Sequence, residues 1–529
     1  MTYTAGVPSE SAPLLQNRLE VHDRKQFEIK LEYLPSGADD ETRYLVEMFL
    51  FVPNSLNVDA ETYPRGDFYA DIHNYVRFTT PVMSLEELLS SASSPLANLE
   101  AWLNTGAGTE ADIVYQAKLL CCIFRGALRR FAKVVDGRCE TPAASSLAED
   151  DCAELQRMVL GSQEAVARVL ERFRAWAKTT AGLQLQEKTR ASFRLVDEYM
   201  SLTVEQYFRK AVADMDSLPR SGGYIEPRKE LMGAVIREET YRKDNQLRSV
   251  LSPTGDNEEY IHRIGFLKKF CMNILFLSAR RRQKRQGWEE VLFAMAAGLA
   301  MAFATAVAFW AQARFPQVSL NFFLIVVLGY MAKDRIKEGL RRIFSSFASR
   351  HLFDRTAEIV DPVTKRILGT LEERVDYGRL VKVPEEIAAL RRLDDFITVS
   401  QGELAESVIR YQKEIVLDAE LLPRTQRGLT GVTDIIRFNV ERFLRDMDDP
   451  EFALEYVDLE DFSVGRVRAA KSYQVDLAFR FTTDEADQEK VSVQLVRLVL
   501  DRNGIKRMLR LIPEQSGRPQ HLEPYRDAA

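Results

Sequence analysis

Apolar and polar positions near the start of the chain alternate strictly. Phe27, Ile29, Leu31 and Tyr33 fall on one side and Glu28, Lys30 and Glu32 on the other, the period of a half-buried strand. Arg43 to Val52 reads as a second, more apolar strand after the break at Pro35-Ser36-Gly37. Tyr75 to Thr79 reads as a third. Ser84 with Glu87 three residues on forms a capping box that opens a helix. From there to about Ser278 the period is helical. Leu155, Val159, Val166, Leu170, Phe173 and Trp176 mark one apolar stripe, and Val196, Tyr199, Val204, Tyr207, Ala211 and Met215 another. Ile113 to Val135 is apolar over most of its surface and predicts a central helix. Breaks fall at Asp136–Ser146, Ser217–Gly223 and Ser252–Asn257. The last helix of this region carries Ile261, Ile264, Leu267, Cys271, Ile274 and Leu275 on one face, and is expected to run on toward the apolar block that follows or to lie on a membrane surface.

That block changes the picture. Val291 to Ala311 has Thr305 as its only polar side chain, and Phe315 to Ala332 forms a second apolar run. A helix crosses the roughly 30 Å hydrocarbon core of a bilayer with about 20 apolar residues. The two runs therefore predict a two-helix transmembrane hairpin, the second helix being short and relying on snorkelling by Lys333. Arg280, Arg281, Arg282, Lys284 and Arg285 precede the first run; Lys333, Arg335, Lys337, Arg341 and Arg342 follow the second. Positive residues stay on the cytoplasmic side, so both flanks, both termini and both soluble parts are expected in the cytoplasm of a cell, with the hairpin in a bacterial inner membrane. Trp288 and Trp310 bracket the first run and Tyr330 lies near the inner end of the second, as interfacial aromatics do. Ala294, Gly298, Ala302 and Ala306 recur every four residues and predict a helix-packing face, either against the second run or against a neighbouring copy in a homo-oligomer. Neither run holds an Asp, Glu, Lys, Arg or His, which argues against a pump or secondary transporter. The basic flanks suit anionic lipid head groups.

Beyond the second run, Ile336, Leu340, Ile343, Phe344 and Phe347 continue as a juxtamembrane helix. Strands are then expected at Glu358 to Asp361, Arg366 to Thr370, Val408 to Leu417, Tyr473 to Phe481 and Val491 to Leu500. Asn503-Gly504 is a strong hairpin signal with positive φ expected at both residues. One helix, Val432 to Met447, is expected to cover the sheet through Ile436, Val440, Phe443, Leu444 and Met447. The fold class is thus an α+β membrane protein. Its parts are a tail at 1–20, a mostly helical N-terminal cytoplasmic domain with a small antiparallel sheet at 21–279, the transmembrane hairpin at 280–335, a juxtamembrane helix at 336–356, an antiparallel-sheet-plus-helix C-terminal cytoplasmic domain at 357–515, and a tail at 516–529.

Composition is ordinary for folded material, with 46% hydrophobic and 28% charged residues. The net charge of −6 argues against nucleic acid as a partner. Cys121, Cys122, Cys139, Cys152 and Cys271 show no metal spacing and are expected to be reduced thiols. No secretory signal opens the chain. An excess of Arg over Lys points to a GC-rich bacterial genome. No Walker loop, GxGxxG, GxSxG or HExxH occurs, and the histidines, His22, His73, His262, His351 and His521, are scattered. No catalytic residue, cofactor or metal ligand is assigned. Asp39–Asp40, Asp214–Asp216 and Asp446–Asp449 are acidic clusters read as solvated ends, the last with a divalent-cation site as its alternative. The expected function is a non-enzymatic scaffold, sensor or regulatory protein that binds an unknown cytoplasmic protein or ligand. Alternatives are a membrane-tethered enzyme with a dispersed site and an oligomeric pore.

Overall fold

The computed structural model describes residues 16–33, 41–106, 109–139, 149–181, 185–216, 225–282, 284–316, 319–363, 365–378, 381–392, 406–418, 431–457, 463–485 and 488–511. The Pro35–Gly37 break, Asp39–Asp40, the break at Ser217–Gly223, most of Asp136–Ser146, His521 and most of both expected tails lie outside them. The chain divides into two compact units: Met1–Arg77 with Leu277–Ala529, and Phe78–Phe276.

The first unit opens with β1 (Gln16–Asp23), β2 (Gln26–Tyr33), β3 (Glu41–Pro53), α1 (Arg65–Asp71) and β4 (Ile72–Phe78). Among its described residues the regular elements that begin in the second unit are helices: α2 (Leu85–Ser90), α3 (Pro95–Thr105), α4 (Glu110–Cys139), α5 (Glu149–Ala181), α6 (Glu187–Asp216), α7 (Ile225–Asp244) and α8 (Glu258–Met272). The capping box forms at Ser84 and Glu87. Phe124, Leu128 and Phe131 of α4 are buried with Phe173 and Trp176 of α5 and Phe193 and Phe208 of α6. Trp176 meets Phe193 edge-on at 4.8 Å between ring centroids. Arg174 joins Asp197 at 2.9 Å and Glu238 at 2.7 Å.

The chain then returns to the first unit through β5 (Ser278–Arg282), α9 (Lys284–Arg314), α10 (Leu320–His351), β6 (Arg355–Val360), β7 (Ile367–Tyr377), α11 (Glu385–Arg392), β8 (Glu406–Asp418), β9 (Val432–Asn439), β10 (Glu451–Val457), β11 (Val464–Ala470), β12 (Tyr473–Glu485), β13 (Gln488–Asp501) and β14 (Gly504–Leu511). Two sheets form its body. One has the order β1-β2-β9-β4 and the other β14-β13-β12-β3-β8-β7-β6-β5. Facing side chains join them: the Tyr33 and Tyr44 rings lie 4.3 Å apart, and Phe68 of α1 sits between Tyr411 of β8 and Phe438 of β9. On the other face of the larger sheet, α11 packs Ile387 against Phe49, Phe51, Ala478 and Leu495.

This architecture corrects the expected fold class. There is no separate small N-terminal sheet. β2 pairs with β9, and β3 pairs with both β8 and β12, so N-terminal strands complete the C-terminal sheets. The expected helix at Val432–Met447 is strand β9 followed by a 3-10 turn at Glu441–Leu444. Val432, Thr433, Ile435 and Ile436 are β-branched and pack on a pleated surface, and the apolar spacing from Val440 to Met447 belongs to the turn. α8 does not run on into α9, because β5 lies between them. In the β13–β14 hairpin only Gly504 has positive φ, at 132°. A Cβ there would sit 2.0 Å from the Arg24 carbonyl oxygen, which accepts the Ile505 N–H at 2.6 Å, so close approach of the backbone of the β1–β2 turn is the reason for the glycine.

The transmembrane hairpin is the largest correction. Among the described residues only one segment, Glu290–Arg314, is long and apolar enough to cross a bilayer. The second run fails because Pro316 and Ser319 hold the chain outside a helix. Ser319 caps α10, its side chain accepting the Phe322 N–H, and the helix starts at Leu320. The uncharged part of α10, Leu320–Ala332, is then only about 20 Å long at ~1.5 Å per residue. The expected juxtamembrane helix is the continuation of the same α10.

Candidate functional site

α9 and α10 leave and re-enter the large sheet at neighbouring strands, β5 and β6, which pair from Ser278↔Val360 to Arg282↔Thr356. They form an antiparallel arm. Its inner face is made of small residues: Ala296, Ala300 and Ala311 are at most 1% exposed, and a Cβ on Gly329 would lie 2.9 Å from Val307. Small side chains let the two backbones approach closely. The expected packing face is a different one. Ala294, Gly298, Ala302 and Ala306 all lie on the exposed side, and a Cβ on Gly298 would meet nothing within 4 Å.

Large apolar residues point outward. Met301, Phe303, Phe309 and Trp310 of α9 and Phe323, Leu328, Tyr330 and Met331 of α10 are 40–67% exposed. An apolar surface of this extent marks a contact site for something other than water. The register of the pair sets its charge profile. Gly329 lies against Val307, and the Arg341 guanidinium sits 4.5 Å from the Phe293 ring centroid. Lys333, Arg335, Lys337, Arg341 and Arg342 therefore run beside the first half of the α9 apolar block. Only the tip, from about Phe303 to Arg314 on α9 and from Leu320 to Ala332 on α10, is free of charge on both helices apart from Arg314. Lys333 lies over the Tyr330 ring at 3.7 Å, and Arg335 is fully outward.

The other expected interface residues divide by element. Arg280, Arg281 and Arg282 are exposed on β5, an edge strand, and Arg282 pairs with Glu358 at 2.5 Å. Lys284, Arg285 and Trp288 lie in the first turns of α9. Trp310 is at the tip, edge-on to Phe315 at 6.3 Å.

The richest group of titratable side chains lies between the two sheets. Lys413 of β8 pairs with Asp434 of β9 at 2.7 Å, with both side chains fully buried. The Tyr33 hydroxyl donates to the other Asp434 oxygen at 3.4 Å. The Tyr411 hydroxyl donates to Glu373 at 2.6 Å and accepts from Asn74 at 2.9 Å. Burial, together with Glu373, pushes the Tyr411 phenol well above its usual range. These groups pair with one another, although the buried Asn74 Oδ1 has no partner among the described residues, and the Lys413–Asp434 pair has no surface for a substrate to reach; such a network fixes how the sheets pack. Among the described residues no cluster of His, Cys, Asp or Glu could hold a metal ion. In the expected acidic cluster, Asp448 accepts from the Tyr473 hydroxyl at 3.0 Å and pairs with Lys471, and Asp449 pairs with Arg502 at 2.9 Å. No helix ends there. The described cysteines, Cys121, Cys122, Cys139 and Cys271, are free thiols.

Sequence reasoning missed the inward face of the arm and the hairpin β10–β11, although Phe452, Leu454 and Tyr456 alternate with Glu451, Ala453 and Glu455. Comparison with protein families, with curated proteins and with solved structures finds no match to this chain.

Proposed function

We propose that this chain is a membrane-attached binding or scaffold protein, held on a bilayer by the tip of its α9–α10 arm. The observation that carries this reading is the inversion of the arm: alanines face inward and Phe309, Trp310, Phe323 and Leu328 face outward. Water is a poor solvent for that surface, and lipid is a good one. Uncharged but for Arg314 at its end, the tip has a depth of roughly 20 Å, somewhat more than a single leaflet of a hydrocarbon core about 30 Å thick. Lys333, Arg335, Lys337, Arg341 and Arg342 then form a basic collar at the level of anionic head groups. The arm acts as a wedge entering from one side, as interfacial helices do, and the first unit stays on that side because β5 and β6 are neighbours.

A binding role is preferred to an enzymatic one because the Lys413–Asp434 pair in the sheet sandwich is fully buried and closed to a substrate. The experiment is flotation of the full chain with vesicles of anionic and of zwitterionic lipid. Binding to the anionic vesicles, lost with Phe309→Asp and Phe323→Asp together, is the expected outcome. A full chain that does not float with the anionic vesicles contradicts the proposal.

A further inference from the structure

β10 and β11 form a ribbon on their own. They pair in unbroken register from Glu451↔Ala470 to Val457↔Val464, and among the described residues no further strand joins either outer edge. A lone two-stranded ribbon is marginal in water, yet this one is nearly all exposed. Its two faces differ. Phe452, Leu454 and Tyr456 share one face with Gly465, Val467 and Ala469, and the Tyr456 ring lies so close over Gly465 that a Cβ there would be 2.6 Å from it. On the opposite face Glu455 pairs with Arg466 at 2.9 Å and Glu451 with Arg468 at 2.9 Å.

All the carboxylates of the ribbon are on β10 and all its guanidiniums on β11. One open edge is therefore acidic and the other basic. Neither strand carries the proline, lysine or bulge that blunts an open edge. We propose that the ribbon is a self-association module, in which the β11 edge of one copy pairs antiparallel with the β10 edge of another. This pairing repeats between copies the acid–base contacts already made within each ribbon and extends the apolar stripe. Pairing of like edges, β10 on β10 or β11 on β11, would set like charges opposite one another. The contact is head-to-tail, so it builds rings or open chains. It is independent of the lipid-bound arm.

The test uses two differently tagged full-length chains in a mild detergent that covers the arm. One is the parent. The other carries Glu451→Arg, Glu455→Arg, Arg466→Glu and Arg468→Glu, which preserves every pair within the ribbon and exchanges the edges. Parent recovers parent, and exchanged recovers exchanged. Recovery of parent with exchanged is expected to fall about fivefold or more. Equal recovery of the mixed pair, or no recovery between parent copies, overturns the proposal. Val467→Lys is the second variant. It puts a charge in the apolar stripe and leaves the ion pairs in place, and it is expected to abolish parent-type recovery; unchanged recovery counts against edge pairing.

Discussion

Two pairs of long helices in this protein have nearly the same length and opposite construction. α4 and α6 pack with Phe124, Leu128 and Phe131 inward and polar residues outward. α9 and α10 pack with Ala296, Ala300, Ala311 and Gly329 inward and their Phe, Trp, Leu and Met residues outward. The first pair supplies its own apolar phase. The second contributes only half of one and leaves the rest to its surroundings. Helical period is the same in both, so period alone does not tell a core face from an exposed apolar one. The side on which the large residues lie does.

The sharpest way to break this comparison is to truncate one phenylalanine in each pair. Phe124→Ala in α4 should destabilise the helical unit by about 3–5 kcal/mol, as loss of a buried aromatic does. Phe309→Ala at the arm tip should change unfolding in detergent by no more than roughly 0.5 kcal/mol. Chemical unfolding followed by circular dichroism reads both. Equal effects would mean that the tip is a protein core.

The arm can be probed across its own two faces. Ala300→Leu adds bulk where α10 is in contact and should cost about 1–3 kcal/mol through overpacking. Gly298→Leu, where a Cβ meets nothing, should be tolerated. Proteolysis of the arm in detergent distinguishes them, and the reverse ranking would restore the face at Ala294, Gly298, Ala302 and Ala306 as the packing face.

Much of this was readable in the chain. Strict alternation exposed β2, apolar density exposed β3 and α4, and the Ser84–Glu87 spacing exposed the start of α2. The pairing of β2 with β9 and of β3 with β8 was not readable, because register between segments hundreds of residues apart leaves no local mark. The arm misled for a different reason. Ala294, Gly298, Ala302 and Ala306 and the inward Ala296 and Ala300 form adjacent small stripes, and only the positions of Gly329 and Phe293 against the other helix choose between them. At Val432–Asn439, apolar residues on both faces of a covered strand imitate a helix. The buried Lys413–Asp434 pair joins two sheets, and neither residue has a neighbour in sequence that announces the other.

Charge sharpens the comparison at the arm's collar. Arg335→Glu and Lys337→Glu should each weaken binding to anionic vesicles by on the order of 1 kcal/mol or more, an effect that shrinks with added salt. Vesicle flotation across a salt series checks this; salt-independent binding would remove the head-group contact from the account.

The smallest effect belongs to a charge on the face of β2 turned away from the other sheet, where partners are built in. Burial raises the Glu28 carboxyl, but Lys30 at 2.7 Å and Arg437 pull it further down, below its usual value. A depressed folded-state value means that the stabilisation is present above the unfolded carboxylate pKa of about 4.3 and is lost as pH falls through the folded value. Acid unfolding of the parent should therefore steepen below about pH 4, and Glu28→Gln should flatten that part of the curve. An unchanged acid limb would show that Glu28 is not so held.

The central claim is that the arm enters lipid as a one-sided wedge with its tip down and its collar at the surface. The direct measurement is depth. A fluorescent probe placed in turn at positions 309, 323, 335 and 341 is read in vesicles whose lipids carry bromine quenchers at the head group or along the acyl chain. The account predicts acyl-chain quenching at 309 and 323 and head-group quenching at 335 and 341. Acyl-chain quenching at 335 and 341 as well, or quenching of 309 and 323 by an aqueous quencher in the presence of vesicles, would contradict it.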